Sequence, residues 1–588
     1  MPRSAAVKLI RYAGRAQPSF VVLAGVVIGY AFLAGLRLAG SDDLFFVLND
    51  ARWLLEHGEV PWTDHFSYTA RGQPWIYPLG GGLLFYALWM VGGFAAMSYF
   101  AAAATAATVA LTLRNGSVIS CLLAGVMVPL ITARTATRAD LFSTVLIAAF
   151  VRILWRYHTT GRARVWLLPV LMIVWVNTHL GFFVGLGLIG IYVGFEVLQL
   201  ISAPSVDAIE RLRCTWLWFG LTFAATFINP YSAWIYDGIR RQLVAGPWLA
   251  HSGEWASVPM PNWDRLSGMP VPGDPRGEIY LALAIALTLL VIALWRRQFS
   301  AAIFLTCAAA LAVEHSRLGA FLGIITVVVG PTVLENVITG FRRKARGSEP
   351  PLIPFTATAF VIALAYLRFT TWVDAGGSLF EAGLSREFAD GAISFIERER
   401  LPGNVLAFEH GAYFTWRLWP KYLDYTDSRS IPFVQADALL NDLLRQPPNA
   451  LAWQRVAERY DINALLASGD VLNHWRQFCV SDDWPPVYID QHAVIFVRRT
   501  VGTEELIKRL RVDCASVRLP ATAPQAAGAY DEWVAAAEML QQLGRYDEVL
   551  AAAQQALAIA PGSSRAQLVA KAVQRALAEK NRPAQPQT

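Results

Sequence analysis

Two adjacent carboxylates, Asp42 and Asp43, directly follow a long apolar run from Phe20 to Ala39. Carboxylates take up and release protons, and at a membrane interface they are costly only where water is excluded. The same positions suit a solvated loop acid or a helix N-cap. A third acid, Asp64, sits in PWTDHFSYT, a setting that also fits a turn. Four cationic or ionisable groups, Arg134, Arg138, His315 and Arg317, fall at the ends of further apolar runs. Arginines there also serve as snorkelling side chains, and His315 with Arg317 also fits a pair bonded to loop backbone. Asn177 and His179 in WVNTHLGF lie between two apolar runs. Polar groups near a membrane line a cavity or mark a site, and a helix-to-helix hydrogen bond is the plainer alternative.

The elements that must position these groups are membrane spans. The chain has 588 residues, 55% of them hydrophobic and only 16% charged. A soluble domain is about 25% charged, so an ordinary cytosolic enzyme and a disordered chain are excluded. Apolar runs recur near 20–39, 94–113, 116–133, 140–155, 165–178, 180–200, 214–228, 279–295, 298–313, 317–335 and 353–370. They predict about eleven spans, although several are shorter than the ~20 residues a straight span needs. The segment 78–91, opening with Pro78 and three glycines, predicts a helix at the outer interface. The Gly80–Gly82 run suits close helix packing. Lys and Arg gather in alternate loops: at the N-terminus, at 114, at 152–164, at 211–213, at 296–297 and at 342–346. This positive-inside bias places the N-terminus in the cytoplasm and everything after residue 371 outside. The net charge of +6 comes from these clusters and calls for no nucleic-acid partner. Walker, dinucleotide-glycine, His-Glu-x-x-His and nucleophile-elbow signatures are absent.

From about 372 to 515 the runs shorten to strand length. NVLAF (404–408), KYLDYTD (421–427) and INALLAS (462–468) read as strands, and PVYID with HAVIFVRR as a hairpin-like pair. Helical patterns lie at 413–419, 435–446 and 450–460, so a small α/β domain is expected. Cys479 and Cys514 are compatible with a disulfide or with two free thiols. Residues 516–528 read as a linker. In 529–579, Trp533, Gly544, Tyr546, Ala556 and Pro561 fall at tetratricopeptide-repeat positions. One such repeat cannot bury its own face and must pack on something else, in this chain or on a protein partner. Residues 580–588 read as a disordered tail.

Several stretches taken together resemble a known family. They are DLFFVLNDARWLLEHGEVPWTDHFSYTARGQPW, TRADLFS, RVWLLPVLMIVWVNTHLGFFVGL, INPYSAWIY, GEW, EHSRLGAF and FIERERLPGNVLAFEHGAYFTWRLWP. Over roughly residues 20–500 the chain is similar to GT-C glycosyltransferases, and more closely to a group of bacterial integral membrane proteins. The resemblance implies a polytopic α-helical membrane domain over 1–371 with a long first external loop at 40–93. The external α/β and tetratricopeptide-like segments would follow it, in a bacterial inner membrane. It further implies inverting transfer of a sugar from a polyprenyl-phosphate donor to an external glycan, lipid or protein acceptor. Asp43 is then the expected base, with Asp42 as alternative and Asp64 a further candidate. Arg134, Arg138, His315 and Arg317 would hold the donor phosphate, and Asn177, His179, Glu254 and Trp255 would line the cavity. Trp255 and Trp263 would stack on sugar faces or anchor the interface. The chain also departs from the group. Val47 stands where relatives carry a His, and Tyr77-Pro78-Leu79-Gly80 where they carry Asn-His-Glu-Trp. No cofactor is expected, and no cluster of hard oxygen ligands supports a divalent metal. The departures open a second expectation: a GT-C-like shell without activity that anchors the external repeat in an envelope or secretion assembly. A lipid-linked-sugar transporter ranks last, because no internal symmetry is visible.

Overall fold

The computed structural model describes residues 18–202, 206–244, 257–258, 275–342, 352–408, 410–468, 476–519, 526 and 528–580. The N-terminal arginines, Glu254, Trp255, Trp263 and the tail after 580 lie outside them. Two compact units appear. One comprises residues up to Leu38, Tyr77–Thr370 and Leu379–Gly383; the other comprises Ala39–Ile76, Thr371–Ser378 and Leu384–Thr588. The stretch expected as one external loop is therefore divided, 39–76 grouping with the second unit and 77–93 with the first.

The first unit is built from α1 (Pro18–Gly35), α3 (Gly80–Thr112), α4 (Val118–Thr132), α5 (Asp140–Thr160), α6 (Leu167–Thr178), α7 (Phe182–Ser202), α8 (Val206–Ala225), α9 (Ile235–Val244), α10 (Pro275–Trp295), α11 (Phe299–Glu314), α12 (Gly319–Arg342) and α13 (Leu352–Asp374). The last residues of α13, from Thr371, group with the second unit. Among the described residues, six helices are long and apolar enough to cross a membrane: those at Gly80–Thr112, Asp140–Thr160, Phe182–Ile201, Gly277–Trp295, Ser316–Glu335 and Pro354–Asp374. Shorter apolar helices lie at Ser19–Gly35, Val118–Thr132, Leu167–Thr178 and Phe299–Glu314. The helix α12 is the most buried of the six and packs on α4, α5, α10 and α11, whereas little of the span within α13 is buried. An exposed apolar helix of that length suits lipid as its solvent.

Within α3 two helical segments meet at a kink at Gly92–Gly93, where the backbone leaves helical geometry, close to the boundary expected between the helix at 78–91 and the span at 94–113. Gly93 has φ +62° and ψ −156°, a conformation open essentially to glycine alone, so the bend is written into the sequence. Gly80 and Gly81 do permit close packing. A Cβ on Gly80 would stand 2.6 Å from the Asn177 carbonyl oxygen, and one on Gly81 2.6 Å from that of Thr178. The start of α3 therefore lies directly against the end of α6.

The second unit contains α2 (Asp43–His57), α14 (Asp390–Glu399), β1 (Asn404–Ala407), α15 (Gly411–Leu418), α16 (Val434–Leu444), α17 (Leu451–Arg459), β2 (Ile462–Ser468), β3 (Pro486–Ile489), β4 (Ala493–Val497), α18 (Glu504–Leu510), α19 (Ala529–Leu543), α20 (Tyr546–Ile559) and α21 (Ser564–Lys580). The sheet runs β1-β2-β4-β3, with β1 parallel to β2 and the other pairs antiparallel. The expected strand at 421–427 does not form. Asp424 makes one isolated bridge to Ser67, through Asp424 N–H to Phe66 O and Tyr68 N–H to Asp424 O, each 2.9 Å. Its neighbour is a loop and not the sheet, so pairing stops after one bridge. Trp453, Leu465, Phe478, Trp484 and Phe496 form the core. Met539 and Leu543 of α19 enter that same core, so the helical hairpin α19–α20 buries its spare face within this chain. Gly544 ends α19 at φ +76°, and Ala556 is fully buried between helices.

Cys479 and Cys514 are joined by a disulfide across a separation of 35 residues. A loop of that size is worth ~3–4 kcal/mol in the chain-entropy picture. Cys514→Ala is expected to lower the stability of the second unit by about that amount, read as earlier proteolysis of full-length protein in guanidinium. Unchanged resistance would show that the bridge constrains nothing.

Candidate functional site

Two clusters of ionisable residues, one in each unit, contain most of the described residues that the sequence analysis singles out. In the second unit the centre is Arg429, which sequence reasoning missed. Its side chain is 1% exposed. Arg429 Nη2 lies 2.5 Å from Asp64 Oδ1 and 2.7 Å from Asp427 Oδ2, and Nε donates to both Asp427 oxygens at 2.8 and 2.9 Å. Trp75 and Phe433 lie under the guanidinium, 5.1 and 5.2 Å away. Such a buried charge persists only with paired counter-charges.

Asp64 is both a turn residue and an ion-pair partner. Its Oδ2 accepts from Ser67 N–H at 3.0 Å and from Ser67 Oγ–H at 2.6 Å, while Oδ1 faces Arg429. Asp42 occupies the position before α2, yet its carboxylate caps another helix. It accepts from Ala412 N–H at 3.3 Å and Tyr413 N–H at 3.0 Å, in the first turn of α15. Asn49 of α2 also reaches α15, donating to Ala412 O and Thr415 Oγ1. Phe45 packs on Tyr413 and Phe388. Asp43, next to Asp42, is half-buried in the first turn of α2.

The carboxylates outnumber the guanidinium. Burial, with help from Asp427, pushes the Asp42 carboxyl up to about 7 against the pull of the two backbone N–H groups. Burial likewise pushes Asp50 up to about 7, opposed by Arg429 and by the Trp75 indole N–H, which donates to Asp50 Oδ2 at 2.9 Å. Asp424 is raised well above the usual carboxylate range by burial and then by Asp427. These three acids bind protons in the folded chain at pH values where the unfolded chain has released them.

In the first unit, three arginines meet at one carboxylate. Arg134 Nη2 lies 3.0 Å, Arg138 Nε 3.2 Å and Arg317 Nη2 3.8 Å from the oxygens of Asp140. Arg134 and Arg138 come from the turn between α4 and α5, and Arg317 from the turn between α11 and α12. Asp140 opens α5 and belongs to TRADLFS, but sequence reasoning gave it no role. His179 ends α6 within the field of the same four groups, and Tyr77 meets its ring edge-on at 6.2 Å. His315 ends α11, two residues before Arg317. Asn177 donates to Ile173 O of its own helix and to Ile228 O in the loop after α8, a helix-to-loop bond where a helix-to-helix one was the alternative. Among the described residues, no group of three His, Cys, Asp or Glu is arranged to hold a metal ion.

No protein-family model matches this chain, and no curated protein does. Among solved structures it is similar to the Archaeoglobus fulgidus oligosaccharyltransferase in the apo form. The identity is 10% and the TM-score 0.49, over 81% of this chain and 74% of that one. A complex of the same organism's AglB with an inhibitory peptide and a dolichol-phosphate gives 9% and 0.49 over the same shares. The same organism's enzyme tethered to an acceptor peptide with an NVT sequon gives 10% and 0.47, again over 81% and 74%. Values that low establish neither a shared fold nor a shared activity.

Two outcomes follow from the acidic cluster. Arg429→Met is expected to destabilise the second unit by ~3–5 kcal/mol, because Asp64 and Asp427 lose their counter-charge in a buried setting; unaltered melting of that variant would mean the pair is dispensable. The pH dependence has a definite sign. Asp42 and Asp50 have folded values near 7, above the ordinary 3.8, so their contribution is full below about pH 4 and is lost as pH rises through 7. At ~1.4 kcal/mol for each tenfold change in proton affinity, the loss reaches a few kcal/mol. Full-length protein in nanodiscs should melt at a higher temperature at pH 5.5 than at pH 8, and Asp50→Asn should flatten that slope. A slope of the opposite sign would refute the assignment.

Proposed function

We propose that the protein is a membrane glycosyltransferase that moves a sugar from a polyprenyl-phosphate donor to an acceptor at the external face. The observation that carries this reading is the convergence of Arg134, Arg138 and Arg317 on Asp140 at the ends of helix pairs. Preorganised guanidiniums stabilise charge that develops on a departing phosphate. The motif series of the sequence and the six long apolar helices support the same reading.

In this reading the carboxylate of Asp43 takes the proton of the acceptor hydroxyl. The acceptor oxygen forms a bond to the anomeric carbon while the bond from that carbon to the phosphate oxygen breaks. The polyprenyl phosphate leaves with the electron pair, and the configuration inverts. The resemblance of the first loop supports Asp43 as the base, with Asp42, which accepts two backbone N–H groups, and Asp64, which faces Arg429, as the further candidates. The disulfide and the alternation of Lys and Arg support an external, oxidising location for the residues after 371. The hairpin α19–α20 is read as tetratricopeptide-like, and about eleven spans in a bacterial inner membrane remain part of this proposal.

A second reading, a scaffold without activity, has its own observations. Val47, where relatives carry a His, is 2% exposed, and Tyr77 fills space against His179.

The test supplies radiolabelled polyprenyl-phosphate sugars and candidate acceptors to the full chain in nanodiscs and follows release of polyprenyl phosphate. Arg138→Gln and Asp43→Asn are each expected to slow release by ~10²-fold or more. Release that both variants leave intact would sink the transferase reading. Binding without release in the wild type, with every acceptor tried, would favour the scaffold.

A further inference from the structure

In the second unit the turn between β3 and β4 meets the first turn of α19 at one carboxylate. Asp490 makes that turn rigid. Its Oδ1 accepts from the His492 and Ala493 N–H groups, each at 2.8 Å, and its Oδ2 accepts from the Tyr488 hydroxyl at 2.7 Å. The next two residues both reach a single oxygen of Glu532. Gln491 Nε2 donates to Glu532 Oε2 at 2.5 Å, and His492 Nε2 lies 3.2 Å from the same atom. An ionised carboxylate only accepts, so His492 Nε2 carries a proton whether the ring is charged or neutral. The nitrogen left to titrate is Nδ1, and a proton added there turns a neutral hydrogen bond into an ion pair in place. The His492 and Glu532 side chains are only 15% and 18% exposed, so water screens the pair little. Further along α19 the hold is of another kind, because Met539 and Leu543 enter the apolar core.

Three carboxylates act on the His492 ring: Glu532 from α19, Asp490 from its own turn and Glu387 from the segment before α14. The cations around them are engaged in the same interface. Arg386 lies 3.7 Å from Asp531 and acts on Glu532, and Arg565 of α21 lies 3.5 Å from Glu387 and 2.6 Å from Glu538. We propose that His492 and Glu532 form a proton-operated latch, which fastens the first half of α19 to the β3–β4 turn in mild acid and loosens it as pH rises. Burial opposes a charge on the ring, but the hydrogen bond and charge of Glu532, with Asp490 and Glu387, outweigh it and hold His492 above its ordinary 6.5. His492 in turn holds the Glu532 carboxyl below its ordinary 4.5 against burial. The imidazolium therefore contributes in full below pH 6.5, and its share is lost as pH rises through the raised value. The carboxylate contributes above pH 4.5, and its share is lost as pH falls through the lowered value. The latch is closed between those limits. It works whether or not the chain transfers sugar, and with the residues after 371 read as external it senses the pH outside the cytoplasm.

The experiment is amide hydrogen exchange on the full chain in nanodiscs, corrected for the intrinsic rate and compared at pH 6 and pH 8.5. The quantity read is the protection of residues 532–538 relative to that of β4. It should fall about tenfold at the higher pH, the difference between a hydrogen bond to a charged group and a neutral one. Proton release from Asp42 and Asp50 weakens the whole unit, lowers both protections together and cancels in the ratio. His492→Gln keeps a donor near Glu532 and removes the charge. Its ratio should be the same at both pH values, at the level the wild type shows at pH 8.5. Glu532→Gln should lose the pH response in the same way, and protection of β4 reports that each variant is folded. A wild-type ratio that does not change with pH would overturn the proposal. So would a pH response that survives in His492→Gln, since the ring would then be a structural partner and some other group the sensor.

Discussion

A guanidinium that is 1% exposed is the constraint on which the second unit depends. Arg429 cannot be taken from water without bringing negative charge with it, because the desolvation cost of an unpaired ion exceeds anything packing returns. The chain meets this with Asp64 from one stretch and Asp427 from another, far apart in sequence. That pairing ties residues 62–75 to the segment that follows α15. The same logic links α2 to α15, where Asp42 supplies the acceptor that the first N–H groups of a helix require. A stretch of sequence that looks like a loop is therefore folded by electrostatics reaching across the chain.

The first unit uses the converse arrangement. Among the described residues, Asp140 is the carboxylate that three arginines share. Like-charged guanidiniums repel one another, and a shared carboxylate reduces that repulsion enough for them to occupy a small volume. The acid-rich cluster instead lowers its charge by holding protons.

Much of this was legible in the sequence. Apolar periodicity and length gave the long helices, because a membrane span needs little beyond about 20 apolar residues. The strands at 404–408 and 462–468 and the final hairpin were legible from their short apolar runs. The positions of Arg134, Arg138 and Arg317 at run ends were legible too, and the structure brings these three together. What escaped were partners set by long-range contact. Asp140 stood in a quoted motif, but nothing local shows that a carboxylate will receive three arginines from two separate turns. Arg429 lies in TDSRS, a string that reads as a surface turn. The helix α2 was hidden because its stretch was read as a loop, although LFFVLNDARWLL has apolar residues at helical spacing. The strand expected at 421–427 failed for the same reason in reverse: its alternation is real, but its isolated backbone bridge, at Asp424, is to a loop and not to the sheet.

Small residues decide how closely these parts approach. Gly80 and Gly81 let the start of α3 touch the carbonyls that end α6, and Gly181 lets a backbone N–H reach the ring that those carbonyls precede. His179 is thereby held by the Gly181 N–H and by Ser143, whose hydroxyl lies 2.7 Å from its Nδ1. The edge of Tyr77, 6.2 Å from the imidazole, restricts the ring further.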